Sequence, residues 1–159
     1  MAWLVKRIQK WVGARRTLKI HGGCHCGNIR YDLDWPGDGA PIHVRACGCG
    51  FCQKHGGVWT SHRDATLAAE VADESSLSRY KFGTETADFF VCSACGVAPF
   101  VVSEIESHAY SVVNVNTFEN VDPATIVTAP SDFEGEATES RLNRRQTNWI
   151  PNVRVSMTS

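Results

Sequence analysis

His21-Gly22-Gly23-Cys24-His25-Cys26-Gly27-Asn28-Ile29-Arg30-Tyr31-Asp32-Leu33 sets a glycine-flanked pair of cysteines directly before an alternating strand. From Asn28 to Leu33 every second residue is apolar, the period of a strand with one buried face. The Cys24-x-Cys26 spacing lets two thiolates from one tight turn reach a metal ion at about 2.3 Å. Both features recur further along. Phe89 to Cys92 and Pro99 to Val102 are apolar strand candidates on either side of another knuckle, Cys92-x2-Cys95, and Tyr110 to Val115 is rich in β-branched residues. The segment Trp35–Pro41 holds Pro, Gly, Asp and Gly in quick succession and predicts a turn or loop. The best helical stretch in the body of the chain is short, near Pro123–Ile126, with Asp122 as cap and Pro123 in the first helical position. Together these signals predict a mainly β, antiparallel protein with little helix.

A chain of 159 residues fits one domain, expected over residues 20–159. Hydrophobic residues make up 43% and charged ones 21%, which excludes disorder of the whole. No apolar run approaches the roughly 18–20 residues of a membrane span. The net charge of −1 argues against a general nucleic-acid binder. That charge is unevenly spread. Residues 1–19 carry six basic side chains and no acid, which leaves −7 on the remainder. Leu4, Ile8, Trp11 and Val12 fall at helical spacing within this basic amphipathic extension. A helix docked on the domain or frayed in solvent, an interfacial membrane helix and an Arg-rich transit peptide are its three readings. Its apolar run is too short and interrupted for a signal-peptide core. Seven cysteines cannot all pair, so the composition points to reduced thiols in a cytoplasmic protein, used to hold metal.

The cysteines form three groups: Cys24-x-Cys26, Cys47-x-Cys49-x2-Cys52 and Cys92-x2-Cys95. Glycines flank each of them, as tight knuckles require. A structural zinc site takes four protein ligands, and a catalytic one keeps three plus an open position, so seven sulfurs divide naturally as four and three. Spacing alone leaves open which groups pair. His55, three residues after Cys52, would close a Cys3His site if it ligated; otherwise it is a loop histidine at the rim. Cys52 with His55 also has the outline of a nucleophilic cysteine pair, but three neighbouring thiolates are better explained by a cation. His25 must point away from a metal shared by its neighbours, and His21, His43, His62 and His108 read as ordinary residues, His62 with Arg63 being weak pocket candidates. Phosphate-loop and dinucleotide fingerprints are absent. Arg141, Arg144 and Arg145 read as a solvated or acid-paired face beside Glu134, Glu136 and Glu139. Trp59, Phe89, Phe90 and Phe100 read as core, and Trp149, before Ile150-Pro151, as a lid or a packing anchor.

These motifs carry a resemblance. His21 to Tyr31 resembles the G-x-C-H-C-G-x-[VIL]-R-[YF] signature of the glutathione-dependent formaldehyde-activating enzyme family, which also includes the domain of centromere protein V. Cys47-Gly48-Cys49-Gly50-Phe51-Cys52-Gln53-Lys54-His55-Gly56-Gly57 is similar to its second signature, and Cys92-Ser93-Ala94-Cys95-Gly96 to its third. Val113-Asn114-Val115, Asp122-Pro123 and Trp149-Ile150-Pro151 extend the similarity, which covers His21 to Val153.

The resemblance implies an antiparallel β-tent with two zinc ions. Cys24, Cys26, Cys92 and Cys95 would form a closed structural site, and Cys47, Cys49 and Cys52 a catalytic one with a vacant position. It further implies a carbon–sulfur lyase-type enzyme acting on adducts of glutathione, or another small thiol, with formaldehyde or a small aldehyde. The alternative is a noncatalytic glutathione-binding or interaction module. One departure bears on this choice: before the third knuckle, where family members often carry a basic residue and an aromatic, Thr86-Ala87-Asp88-Phe89-Phe90-Val91 carries an acid that would repel glutathione's carboxylates.

Overall fold

The computed structural model describes residues 16–158, so residues 1–15 of the basic extension lie outside the described residues. Its last residues, Thr17 to Lys19, open the first strand. In chain order the elements are β1 (Thr17–Gly23), β2 (Ile29–Pro36), β3 (Ile42–Cys47), α1 (Gly50–His55), β4 (Val58–Thr60), β5 (Thr66–Val71), β6 (Leu77–Tyr80), β7 (Asp88–Cys92), β8 (Phe100–Ile105), β9 (His108–Asn114), β10 (Ile126–Ser131), α2 (Thr138–Asn148) and β11 (Asn152–Met157). A four-stranded sheet has the order β1-β2-β5-β11, and a seven-stranded sheet the order β10-β3-β4-β9-β8-β7-β6. Pairing is antiparallel throughout except for β3 with β10 and β5 with β11. The expected mainly β class is what the chain adopts.

Strand β2 shows why the sheets stack. Ile29, Tyr31, Leu33 and Trp35 are buried, and the residues between them face outward or sit at the margin. They join Ile20 of β1, Leu67 and Val71 of β5, Ile42 and Val44 of β3, Phe100 of β8 and Val113 of β9 in one core shared by both sheets. Trp35 continues the alternation and lies opposite Leu18, so the strand runs two residues into the segment expected to be loop. The opposite face of the seven-stranded sheet buries a second cluster containing Cys52, Trp59, Val101, Val112 and Trp149. Successive residues of β8 serve the two clusters in turn, Phe100 the first and Val101 the second, because strand side chains alternate faces.

The short helical stretch expected near Pro123–Ile126 is a 3-10 turn, Pro123–Thr125, capped by Asp122 accepting from the Ala124 amide at 2.9 Å. It is not the best helix of the body. That is α2, eleven residues long, which the sequence conceals for two reasons. Leu142 is the only apolar residue among its eleven, and Ala137 at its start provides no side-chain cap. Its buried anchor is a charged residue, Arg145, only 7% exposed. Among the described residues, no helix is long and apolar enough to cross a membrane.

Candidate functional site

Two turns bring four sulfurs together. Cys24 and Cys26 lie in the β1–β2 turn, Cys92 ends β7, and Cys95 lies in the turn that follows. All four Sγ atoms are within 4.8 Å of one another. The Cys24–Cys26 and Cys26–Cys92 separations are 3.7 and 3.5 Å. The edge of a zinc–thiolate tetrahedron with 2.3 Å bonds is about 3.8 Å, so the spacing fits that ion. The backbone prepares the site: the Ile29 amide donates to Cys24 Sγ at 3.2 Å, and Cys92 closes its knuckle by donating its amide to Val97 O at 2.9 Å. Burial pushes the Cys24 thiol up to about 12 and raises Cys92 as well. For Cys95 burial opposes ionisation but is outweighed by the Cys26 and Val97 amides, which bring it down to about 6. Such a set ionises fully only around a cation.

Cys47, Cys49 and Cys52 form the second group, again within 4.8 Å of one another. Cys47 ends β3, Cys49 caps α1, and Cys52 lies in the first turn of that helix. Cys49 Sγ accepts from the Cys52 amide at 3.5 Å, so this knuckle is itself a helix start. The helix ends at Gly56 in the left-handed region, φ 68°, and Gly57 then passes so close to Trp59 that a Cβ would sit 2.8 Å from its ring. That approach lets Trp59 Nε1 donate to Cys52 Sγ at 3.2 Å. The hydrogen bond from Cys52 pulls Cys47 down to about 5 against the effect of burial, and the same bond pushes Cys52 far up. The donor set suits zinc or another soft ion. His55 belongs to neither group; its ring packs on Phe51 with centroids 5.1 Å apart.

The three-sulfur group lines a cleft of about 790 Å³, within the size range of small-molecule sites. None of the other four cysteines reaches it. On one side Phe51, Tyr80, Phe82 and Phe89 form an aromatic wall with adjacent centroids 4.8 to 5.5 Å apart. On the other stand Arg45 of β3 and Arg141, Arg144 and Arg145 of α2. Arg144 grips Glu136 through Nε and Nη2 at 3.0 and 2.9 Å, which holds the Glu136 carboxyl below its ordinary range, and its guanidinium lies 3.6 Å from the Phe133 ring centroid. Arg145 Nη1 donates to Thr86 O, Thr86 Oγ1 and Ser103 Oγ, and its guanidinium lies over Trp149 at 4.8 Å. Burial, then the neighbouring arginines, lower Arg145 to about 10, so it stays charged at neutral pH.

The sequence profile described as "Glutathione-dependent formaldehyde-activating enzyme" matches residues 19–133, most of the chain and both sulfur groups. The chain belongs to the glutathione-dependent formaldehyde-activating enzyme family. A solved structure of a protein from Rhodobacter sphaeroides is 28% identical, with a TM-score of 0.47, over 65% of this chain and 92% of its own length. Helix α2 begins five residues beyond the end of the family match, so the arginines it adds to the cleft of this formaldehyde-activating enzyme relative lie outside the matched region.

Several residues sit elsewhere than the sequence suggested. The Arg141–Arg145 stretch, expected as a solvated or acid-paired face, is acid-paired through Glu136 and also lines the cleft. Its signal was available only in part: Glu136 is eight residues before Arg144, too far for a helix pair and visible only once the loop folds back. Trp59 and Phe89 are at once packed and pocket-lining, whereas Phe90 and Phe100 are core. Trp149 is a packing anchor, 7% exposed, whose edge reaches the cleft. Asp88 does not line the cleft; it pairs with Lys81 at 3.6 Å, which removes the expected repulsion. His62 lies in a separate small hollow beside Trp35 and His43, and Arg63 lines neither.

Proposed function

We propose that this chain is a zinc-dependent carbon–sulfur lyase-type enzyme for adducts of glutathione, or another small thiol, with formaldehyde or a small aldehyde. The observation that carries this reading is the placement of the three-sulfur group, and not the four-sulfur group, in the wall of the cleft. Cys24, Cys26, Cys92 and Cys95 then serve as structural ligands, and Cys47, Cys49 and Cys52 hold the catalytic ion. A zinc ion held by the three would supply an open position that keeps a substrate thiol deprotonated at neutral pH. Trp59 Nε1–H spreads negative charge from Cys52, stabilising the group as an anion. The aromatic wall shields the reacting carbonyl from water on one side. In the forward direction the substrate sulfur attacks the aldehyde carbon, the carbonyl pair moves to oxygen, and that oxygen takes a proton from solvent. The reverse breaks the carbon–sulfur bond and returns the pair to sulfur.

A second reading, glutathione binding without catalysis, is favoured by one observation: no histidine lines the cleft, and its carboxylates are Glu134 and the arginine-locked Glu136. Exchange NMR with labelled formaldehyde and glutathione separates the two. Catalysis requires the exchange rate to rise in proportion to zinc-loaded protein and to fall to the spontaneous rate with the Cys47/Cys49/Cys52→Ser variant. An unchanged rate, with calorimetric binding of glutathione intact, leaves the binding reading.

A further inference from the structure

The cleft has a charge imbalance that the sulfur chemistry does not use. Arg45, Lys54, Arg141, Arg144 and Arg145 line it against two carboxylates, Glu134 and Glu136. Glu136 is also the only acid bonded to any of these arginines among the described residues. Donors outnumber protein acceptors on the same wall. Among the described residues, the buried Nε atoms of Arg141 and Arg145 and the buried Nε1 of Trp149 have no hydrogen-bond partner, Arg141 Nε lying 3.9 Å from Glu136, and all three groups only donate. Arg145 is more than nine-tenths buried. A concentration of guanidinium groups beside a low-dielectric aromatic wall selects anions, because their charge is poorly screened there.

Arg45 and Cys47 are two residues apart on β3 and so share a face, which places the arginine wall beside the sulfur group. Arg144 displays the preferred ligand geometry: its planar fork holds a carboxylate through two parallel bonds.

We propose that Arg45, Arg141 and Arg144 form a clamp for a substrate carboxylate, with Glu136 as the internal carboxylate that it displaces, so that the cleft is specific for thiols bearing a carboxylate. This rests on the thiol chemistry proposed above for the same cleft. The clamp sets which thiol is accepted; Arg145 holds α2 in place through Thr86 and Ser103 and is a positioning residue.

Calorimetry on the zinc-loaded full chain tests this with three probes: glutathione, its diethyl ester, and S-methylglutathione. Glutathione is expected to bind at least tenfold more tightly than the diester. Arg144→Gln should abolish that preference by weakening glutathione binding far more than diester binding, and Glu136→Gln should tighten glutathione binding severalfold. Opposite effects from the two partners of one ion pair are what a merely structural pair would not produce, since either substitution would then weaken binding. Equal affinity of glutathione and diester overturns the clamp and leaves the thiol reading standing. S-Methylglutathione binding as tightly as glutathione, with the same dependence on Arg144, upholds the clamp and removes the thiol reading. If none of the three binds, the clamp is overturned.

Discussion

The bond from Trp59 Nε1 to Cys52 Sγ shows how one side chain beyond the sulfurs conditions them. An indole donor at a buried thiolate offsets part of the charge that burial penalises. Trp59→Phe keeps the ring and its packing against Phe89, 5.8 Å between centroids, but removes the donor. The expected result is roughly tenfold weaker metal binding at the three-sulfur group and about 1 kcal/mol lower stability. Competition with a chromophoric chelator and urea denaturation measure the two effects. Binding at the four-sulfur group should not change, since Trp59 makes no contact there. The three cysteine knuckles and the four-plus-three count were legible in the sequence because ligand type and tight spacing are local; which knuckles pair followed from the family resemblance, since Cys26 and Cys92 are 66 residues apart. The Trp59 donor was not legible, because it stands seven positions after Cys52, beyond the end of α1 and the Gly56–Gly57 turn.

Helix α2 illustrates a different limit at the scale of elements. Its sequence offers neither an apolar stripe nor a capping side chain, yet it forms, because tertiary contacts outweigh weak propensity. Arg145 is the anchor, with donors to Thr86 and Ser103 and its plane over Trp149. Arg145→Met would leave the Thr86 carbonyl and hydroxyl without that donor and remove the stacking. A loss of about 3 kcal/mol in urea denaturation is expected. Hydrogen exchange should then speed up in α2 well before it does in β8, against which the helix packs. Helix α1 is the opposite case. Its cap, Cys49, and its stop, Gly56, stand in the sequence, but the knuckle pattern masks a helix of only six residues.

At the scale of the molecule, the four-sulfur group joins two turns whose cysteines are 66 residues apart, Cys26 and Cys92. A metal there closes a long loop and becomes part of the folding free energy. The three-sulfur group spans only Cys47 to Cys52 and closes almost nothing. The two should therefore respond differently to removal. Cys47/Cys49/Cys52→Ser is expected to lower bound zinc from two ions per chain to one with the circular dichroism spectrum preserved. Cys92→Ser should lose more than about 4 kcal/mol of stability or fail to fold. Atomic absorption and thermal melts decide both, and one zinc in each of the wild type and the triple variant would show that the second group holds none.

By itself the sequence determined the mainly β class, the three cysteine knuckles and the family, because alternation and ligand spacing act over a few residues. It also located strand β2 and the capped turn at Asp122. Only the tertiary structure decided what the thiols face. The cleft joins β3, α1, the β6–β7 segment and α2, drawn from residues 45 to 149, and its walls are set by which sheet face each strand turns toward it. Arg45, Phe51, Tyr80 and Arg144 carry no common local pattern. Their juxtaposition follows from sheet order and from the return of α2 over β8, which are long-range pairings that short-range periodicity does not encode.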